Sequence, residues 1–202
     1  MILKNLIMKR YWLLFPLVFT LGSCVFSLYP ISNLESAYVF RKELSGNWVE
    51  TNNDFSCAVD TIADKKYLIT LIDDMDYYPG ADENVRRIDT SYFEAFLIQL
   101  SGQYYLDCSP AVKHKSLDVM GENAKAALLP LHRIYKVDLP SNDRLVISGI
   151  NTDSLEKYLS TSAATIKKEV RDDDYILLTD PPETLQKNLL QTKTRDLFFP
   201  TV

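Results

Sequence analysis

The chain has 202 residues, 47% of them hydrophobic and 24% charged, with a formal net charge of -5 and a pI of about 5.1. That apolar content excludes an intrinsically disordered chain, which would lack the side chains to build a core. An acidic balance without a basic patch excludes the usual nucleic-acid binder.

The N-terminal stretch comes first in the chain and carries the clearest signal. Lys4, Lys9 and Arg10 precede a run that holds no further charge until Glu35 and contains Leu21-Gly22-Ser23-Cys24. A basic start, a short apolar stretch and small residues before a cut make a secretory signal. The Leu21-Gly22-Ser23-Cys24 block resembles the lipobox of bacterial lipoproteins. That resemblance implies that the Cys24 thiol takes a diacylglyceryl group, that residues 1–23 are removed and that Cys24 becomes the new N-terminus. Each acyl chain would add about 0.8 kcal/mol of membrane affinity per buried methylene. The competing reading is an uncleaved anchor, because residues 11–34 are long enough to span a bilayer, which takes about 20 apolar residues. Pro16 and Ser27-Leu28-Tyr29-Pro30 interrupt that run. Lys9 and Arg10 keep the N-terminal side cytoplasmic in either case, so the body lies beyond the inner leaflet. Because the body is acidic, anionic lipid adds nothing, and attachment rests on the N-terminal lipid alone. The expected organisation is a signal over residues 1–23, a tether over 24–33 and one globular domain over 34–202.

Residues 34–44 place Leu34, Ala37, Tyr38 and Phe40 at helical spacing and end at Ser45-Gly46, where a turn is expected. Gly46-Asn47-Trp48-Val49 opens the first strand of the body. Strands are expected over residues 55–63 and 67–72, joined by the polar turn Asp64-Lys65-Lys66. An acidic loop over 73–84 contains Pro79-Gly80. The clearest hairpin joins 93–100 to 103–108 through Ser101-Gly102. Residues 109–126 are polar and irregular. A second hairpin pairs 128–139 with 144–150 across Pro140-Ser141-Asn142-Asp143. The pattern then changes. Thr152-Asp153-Ser154 caps a helix through Leu155, Tyr158 and Leu159. Short strands follow at 166–170 and 175–178, with Asp172-Asp173-Asp174 between them. Thr179-Asp180-Pro181-Pro182 opens a last helix bearing Leu185, Leu189 and Leu190. Leu197-Phe198-Phe199 docks back on the body. The expected fold is mainly antiparallel β, a barrel or strongly bent sheet, with two or three short helices mostly near the C-terminus.

With Cys24 assigned to the anchor, Cys57 and Cys108 remain as a pair in a compartment that can be oxidising. Each lies on an apolar strand face, Cys57 with Phe55 and Val59, Cys108 with Tyr104 and Leu106. Two reduced cysteines serving as small core residues are the favoured reading, and a disulfide between neighbouring strands is the alternative.

Gly46-x-Trp48 after a short helical lead-in resembles the N-terminal signature of lipocalin-like barrels, and the resemblance implies that Trp48 plugs the closed barrel end or borders a ligand cavity. More broadly, Leu44-Ser45-Gly46-Asn47-Trp48, Phe93-Glu94-Ala95-Phe96-Leu97, Tyr104-Tyr105-Leu106-Asp107 and Leu129-Pro130-Leu131-His132-Arg133-Ile134 form a series. It continues with Tyr175-Ile176-Leu177-Leu178-Thr179, Glu183-Thr184-Leu185-Gln186 and Leu197-Phe198. In order and spacing this series resembles a group of uncharacterised bacterial envelope lipoproteins, loosely lipocalin-like. The resemblance implies a fold and a location and brings no activity with it.

Residues for chemistry are few. His114 sits in Lys113-His114-Lys115, a solvated positive loop, and His132 enters a strand, where a ring nitrogen bonded to backbone is expected. Asp73, Asp74, Asp76, Asp82 and Glu83 offer calcium-type oxygens, but counting from Asp74 puts Tyr78 and Pro79 where a calcium loop needs a ligand and a Gly. No zinc spacing, phosphate loop or nucleophile elbow is present in the sequence. No catalytic residue, metal or cofactor is therefore expected. Tyr67, Tyr77, Tyr78, Tyr92, Tyr104 and Tyr105 gather around the central strands, where they either line a cavity or fill a core. The expected function is a membrane-anchored, non-catalytic binder of a small apolar ligand or lipid. The alternative is a tethered interaction subunit of an envelope complex. A hydrolase would need a polar cluster that includes His132.

Overall fold

Among the described residues, ten strands and two α-helices follow one another. They are β1 (Val25–Ser27), β2 (Gly46–Val49), β3 (Phe55–Ala63), β4 (Lys66–Met75), β5 (Arg87–Leu100), β6 (Gln103–Pro110), β7 (Arg133–Ser141) and β8 (Arg144–Gly149), then α1 (Thr152–Leu159), β9 (Lys168–Arg171), β10 (Tyr175–Leu178) and α2 (Pro182–Leu189). The computed structural model describes residues 25–50, 55–75, 87–112, 130–161, 166–171, 175–190, 196, 198 and 199. Cys24 and the signal before it, residues 76–86 of the acidic loop with Tyr77 and Tyr78, His114, and Asp172-Asp173-Asp174 lie outside these residues.

Strands β2 to β8 pair antiparallel in chain order and form a nearly closed, barrel-like sheet of seven strands. Local chemistry sets this order. The β5–β6 turn places Ser101 at φ 51° and Gly102 at φ 78°, the twist of a type I′ hairpin. It fixes the register Leu97↔Leu106 and Ile98↔Tyr105. Lys65 takes a left-handed conformation in the β3–β4 turn, and the register shifts there between Thr61 and Ala63. Gly46 enters β2 at φ 146°, a backbone region that side chains rarely tolerate.

The sheet buries apolar residues on both faces around β5, β6 and β7. Leu97, Leu106 and Val137 join Cys57, Val59, Tyr67, Ile69, Ala95 and Cys108 on the concave face. Ile98, Tyr105 and Ile134 join a second core on the opposite face. That core is completed by β1, β10, both helices and the C-terminal Phe198 and Phe199, which are fully buried. The expected docking of Leu197-Phe198-Phe199 is thus seen at its two described phenylalanines.

The two α-helices of the described residues both follow the seven strands. Asn151, rather than Thr152-Asp153-Ser154, caps α1: its side-chain oxygen accepts the Ser154 N–H at 2.8 Å. Asn at an extended cap position reaches the third helical N–H directly. α2 starts at Pro182, where the missing N–H costs no bond.

The largest departure concerns residues 24–33, read above as a tether. β1 starts at Val25 and pairs parallel with β10, in the register Val25↔Ile176. Its other edge reaches the start of β7: Ser27 and His132 exchange two backbone hydrogen bonds of 2.8 Å. Ile31 and Ser32 are fully buried. The segment is part of the fold because its backbone groups find partners in strands more than 100 residues away.

The chain next crosses the end of the barrel that holds the β3–β4 and β5–β6 turns. Residues 34–44 form two 3-10 turns, Glu35–Ala37 and Lys42–Leu44, in place of one helix. Between them Tyr38 bridges Ile98, and Val39 N–H donates to Leu97 O at 2.9 Å. This occupies the edge of β5 beyond Phe96, where β4 has ended. Tyr67, fully buried, accepts the Arg41 N–H at 2.8 Å and donates to Arg41 O at 3.2 Å. Replacing Tyr67 with Phe keeps the ring and strands that N–H. It is expected to cost about 1–3 kcal/mol, read as a lower denaturant midpoint with an unchanged slope.

Candidate functional site

Two places bring polar or reactive side chains together: the seam between β1 and the large sheet, and the concave face.

At the seam, Asp107 on β6 points away from the barrel interior because it alternates with Leu106 and Cys108. Only 3% of it is exposed. Its Oδ2 accepts the Ile31 N–H at 2.7 Å, and its Oδ1 lies 2.5 Å from His132 Nδ1. From the other side, Gln186 Nε2 on α2 donates to Ile31 O at 2.8 Å. The Ile31 residue is thus held at both its N–H and its C=O by side chains from β6 and α2. Tyr38 stacks on Phe96 at 4.8 Å and donates to Ser32 O at 2.9 Å. Burial, then the Asp107 and Glu35 carboxylates, push the Tyr38 phenol above its ordinary pKa, which keeps that donor protonated.

His132 therefore bonds a carboxylate, where a backbone partner was expected. The ring is drawn to Asp107 because Asp107↔Ile134 pairing puts the two side chains on one face, two residues apart along β7. Ser27 lies opposite His132 across the bridge, so Ser, His and Asp do meet in space. The Ser27 hydroxyl is already committed: it donates to Tyr29 O at 2.6 Å and accepts the Tyr29 N–H at 3.2 Å. The arrangement fastens backbone and supplies no activated nucleophile.

On the concave face, Cys57 and Cys108 point into one core, as their strand faces foretold. Their strands are not neighbours, since β4 and β5 lie between β3 and β6. Both thiols are free and buried. Burial pushes both upward in pKa, and for Cys108 the neighbouring Asp107 charge adds to the effect. Each therefore stays a neutral, unreactive thiol. Trp48 lies partly buried against this core and donates from Nε1 to Leu44 O at 2.9 Å, which ties β2 to the crossing segment. The same face carries Leu71, Phe93 and Tyr135, all half-buried. Burial raises the Tyr135 phenol, which shares a hydrogen bond with the Arg133 side chain. Of the tyrosines singled out in the sequence, Tyr67 and Tyr104 face this core and Tyr105 faces the other.

Among the described residues no three of His, Cys, Asp and Glu come together as a metal site. Comparison with family models, curated proteins and solved structures returns no match.

The Asp107 clasp was missed in the sequence because Asp107 reads as one polar residue in the apolar strand 103–108. An acid buried in a strand was itself the available signal, since such a group needs partners. Replacing Asp107 with Ala leaves the Ile31 N–H and His132 without their acceptor and is expected to cost about 3–5 kcal/mol. Thermal unfolding measures the loss. A matching His132→Gln change, which keeps a donor near the carboxylate, should cost clearly less.

Proposed function

We propose that the protein is a lipid-anchored lipoprotein of the bacterial envelope whose barrel-like sheet takes up a small apolar ligand or a lipid without chemistry. The observation that carries the reading is the graded burial of the concave face: Leu44 and Tyr67 are fully buried, whereas Trp48, Leu71, Phe93 and Tyr135 are half-buried. An apolar face with half-buried aromatic rings suits contact with a partly apolar molecule. The Leu21-Gly22-Ser23-Cys24 block supports the anchor.

A second reading, an accessory subunit held at the membrane, is favoured by one surface feature. Leu28, Tyr29 and Leu34 are exposed close together in the chain, Leu34 by 63%, and would suit a protein partner.

Recovery of the protein from membranes under mild detergent, followed by mass spectrometry, separates the two. The binder predicts a co-purifying lipid or apolar metabolite at near-stoichiometric amount, lost on Phe93→Asp. The subunit predicts a co-purifying polypeptide and no lipid. A Cys24→Ser change is expected to remove the body from its membrane fraction in both cases. Retention at full length would support the uncleaved anchor.

A further inference from the structure

The start of the folded body and the surface beside it form one unit. Val25, the residue after Cys24, is already in β1 and only 2% exposed. No spacer separates the fold from the anchor. β1 meets the start of β7 on the edge left free by β6, since Arg133 pairs with Cys108 on the other. The register Ser27↔His132 puts Phe26 beside Arg133, and the Arg133 guanidinium lies 4.7 Å over the Phe26 ring. On the far side of β1, Phe26 pairs with Leu177 and its ring contacts Tyr175 at 5.8 Å. Val25, Ile176 and Leu178 point into the second core, so Phe26, Leu177 and Tyr175 point the opposite way. Arg133 lies two and four residues from Tyr135 and Val137 along β7 and so shares their concave side. The result is a surface of Phe26, Tyr175, Leu177 and Arg133 beside the concave-face residue Tyr135.

Tyr175 is 49% exposed, and Phe26, Leu177 and Arg133 are half-buried. Among the described residues Arg133 has no carboxylate within ion-pair distance; its partners are the Phe26 ring and Tyr135.

We propose that Phe26, Tyr175 and Arg133 form the membrane-facing surface of the anchored protein, with the Arg133 guanidinium taking a phospholipid phosphate. The proposal rests on the reading of Cys24 as the lipid-bearing residue. Consecutive Cα atoms lie about 3.8 Å apart, so Phe26 is within about 8 Å of Cys24. The polar layer of a bilayer is about 5–8 Å deep on each side. An acylated Cys24 therefore holds Phe26, and the ring and guanidinium stacked on it, at headgroup level. Aromatic rings favour that layer, and a planar guanidinium matches phosphate oxygens.

The test uses the full-length lipidated protein in zwitterionic phosphatidylcholine vesicles, so that the net charge of -5 does not decide the outcome. Tyr175→Trp places a reporter on the surface, and Ile62→Trp places one at the opposite end of β3, at an exposed site. Brominated lipid is expected to quench about half the added emission at position 175 and almost none at 62. Phe26→Trp is a second reporter should the first variant fold poorly. Adding Arg133→Gln is expected to weaken the quenching at 175. Equal quenching at both sites in protein that still sediments with vesicles overturns the orientation while the anchor stands. Protein that does not sediment overturns the anchor reading and the proposal together. Quenching unchanged by Arg133→Gln overturns the phosphate contact.

Discussion

Burying a carboxylate is costly unless its oxygens are fully used, and Asp107 is where this protein meets that cost. Its two oxygens hold Ile31 and His132, and Gln186 completes the hold from α2. Breaking one partner of such a buried group costs several kcal/mol, whereas a surface pair such as Lys66–Glu94 contributes about 0–1 kcal/mol. The clasp is therefore the interaction that fixes where the N-terminal segment lies. That position goes with the β1–β10 pairing and with residues 38–39 on the edge of β5.

The clasp also explains why a single sheet can serve two cores. β5, β6 and β7 are apolar on both faces, which suits strands covered on both sides. The concave face is lined by the barrel's own strands. The opposite face needs a cover, and β1, β10, the two helices and Phe198-Phe199 supply it. β1 is the piece that joins this cover to the large sheet, through the Ser27–His132 bridge. Residues 25–33 thus link both halves of the molecule.

Most of the strand order was legible in the sequence, because it is written in local signals. Ser101-Gly102 and Asp64-Lys65-Lys66 mark tight turns, and alternation around Cys57 and Cys108 gives the face that each thiol takes. The sidedness of Ile98 and Tyr105 was not legible, since a strand buried on both faces loses its alternation. Nor was the role of residues 25–33. Val25-Phe26-Ser27 is too short to carry a pattern, and its partners Ile176 and His132 lie far along the chain. His132 itself was read as structural, which fits, but its acid partner is a contact across strands that no spacing predicts.

Hydrogen exchange across residues 25–38 tests most directly whether this N-terminal segment is part of the folded body. With the Asp107 clasp as described, these amides, Ile31 above all, exchange as slowly as those of β5 and β6. Exchange at the rate of free chain over residues 25–33, with β5 and β6 still protected, would contradict the account and restore the tether.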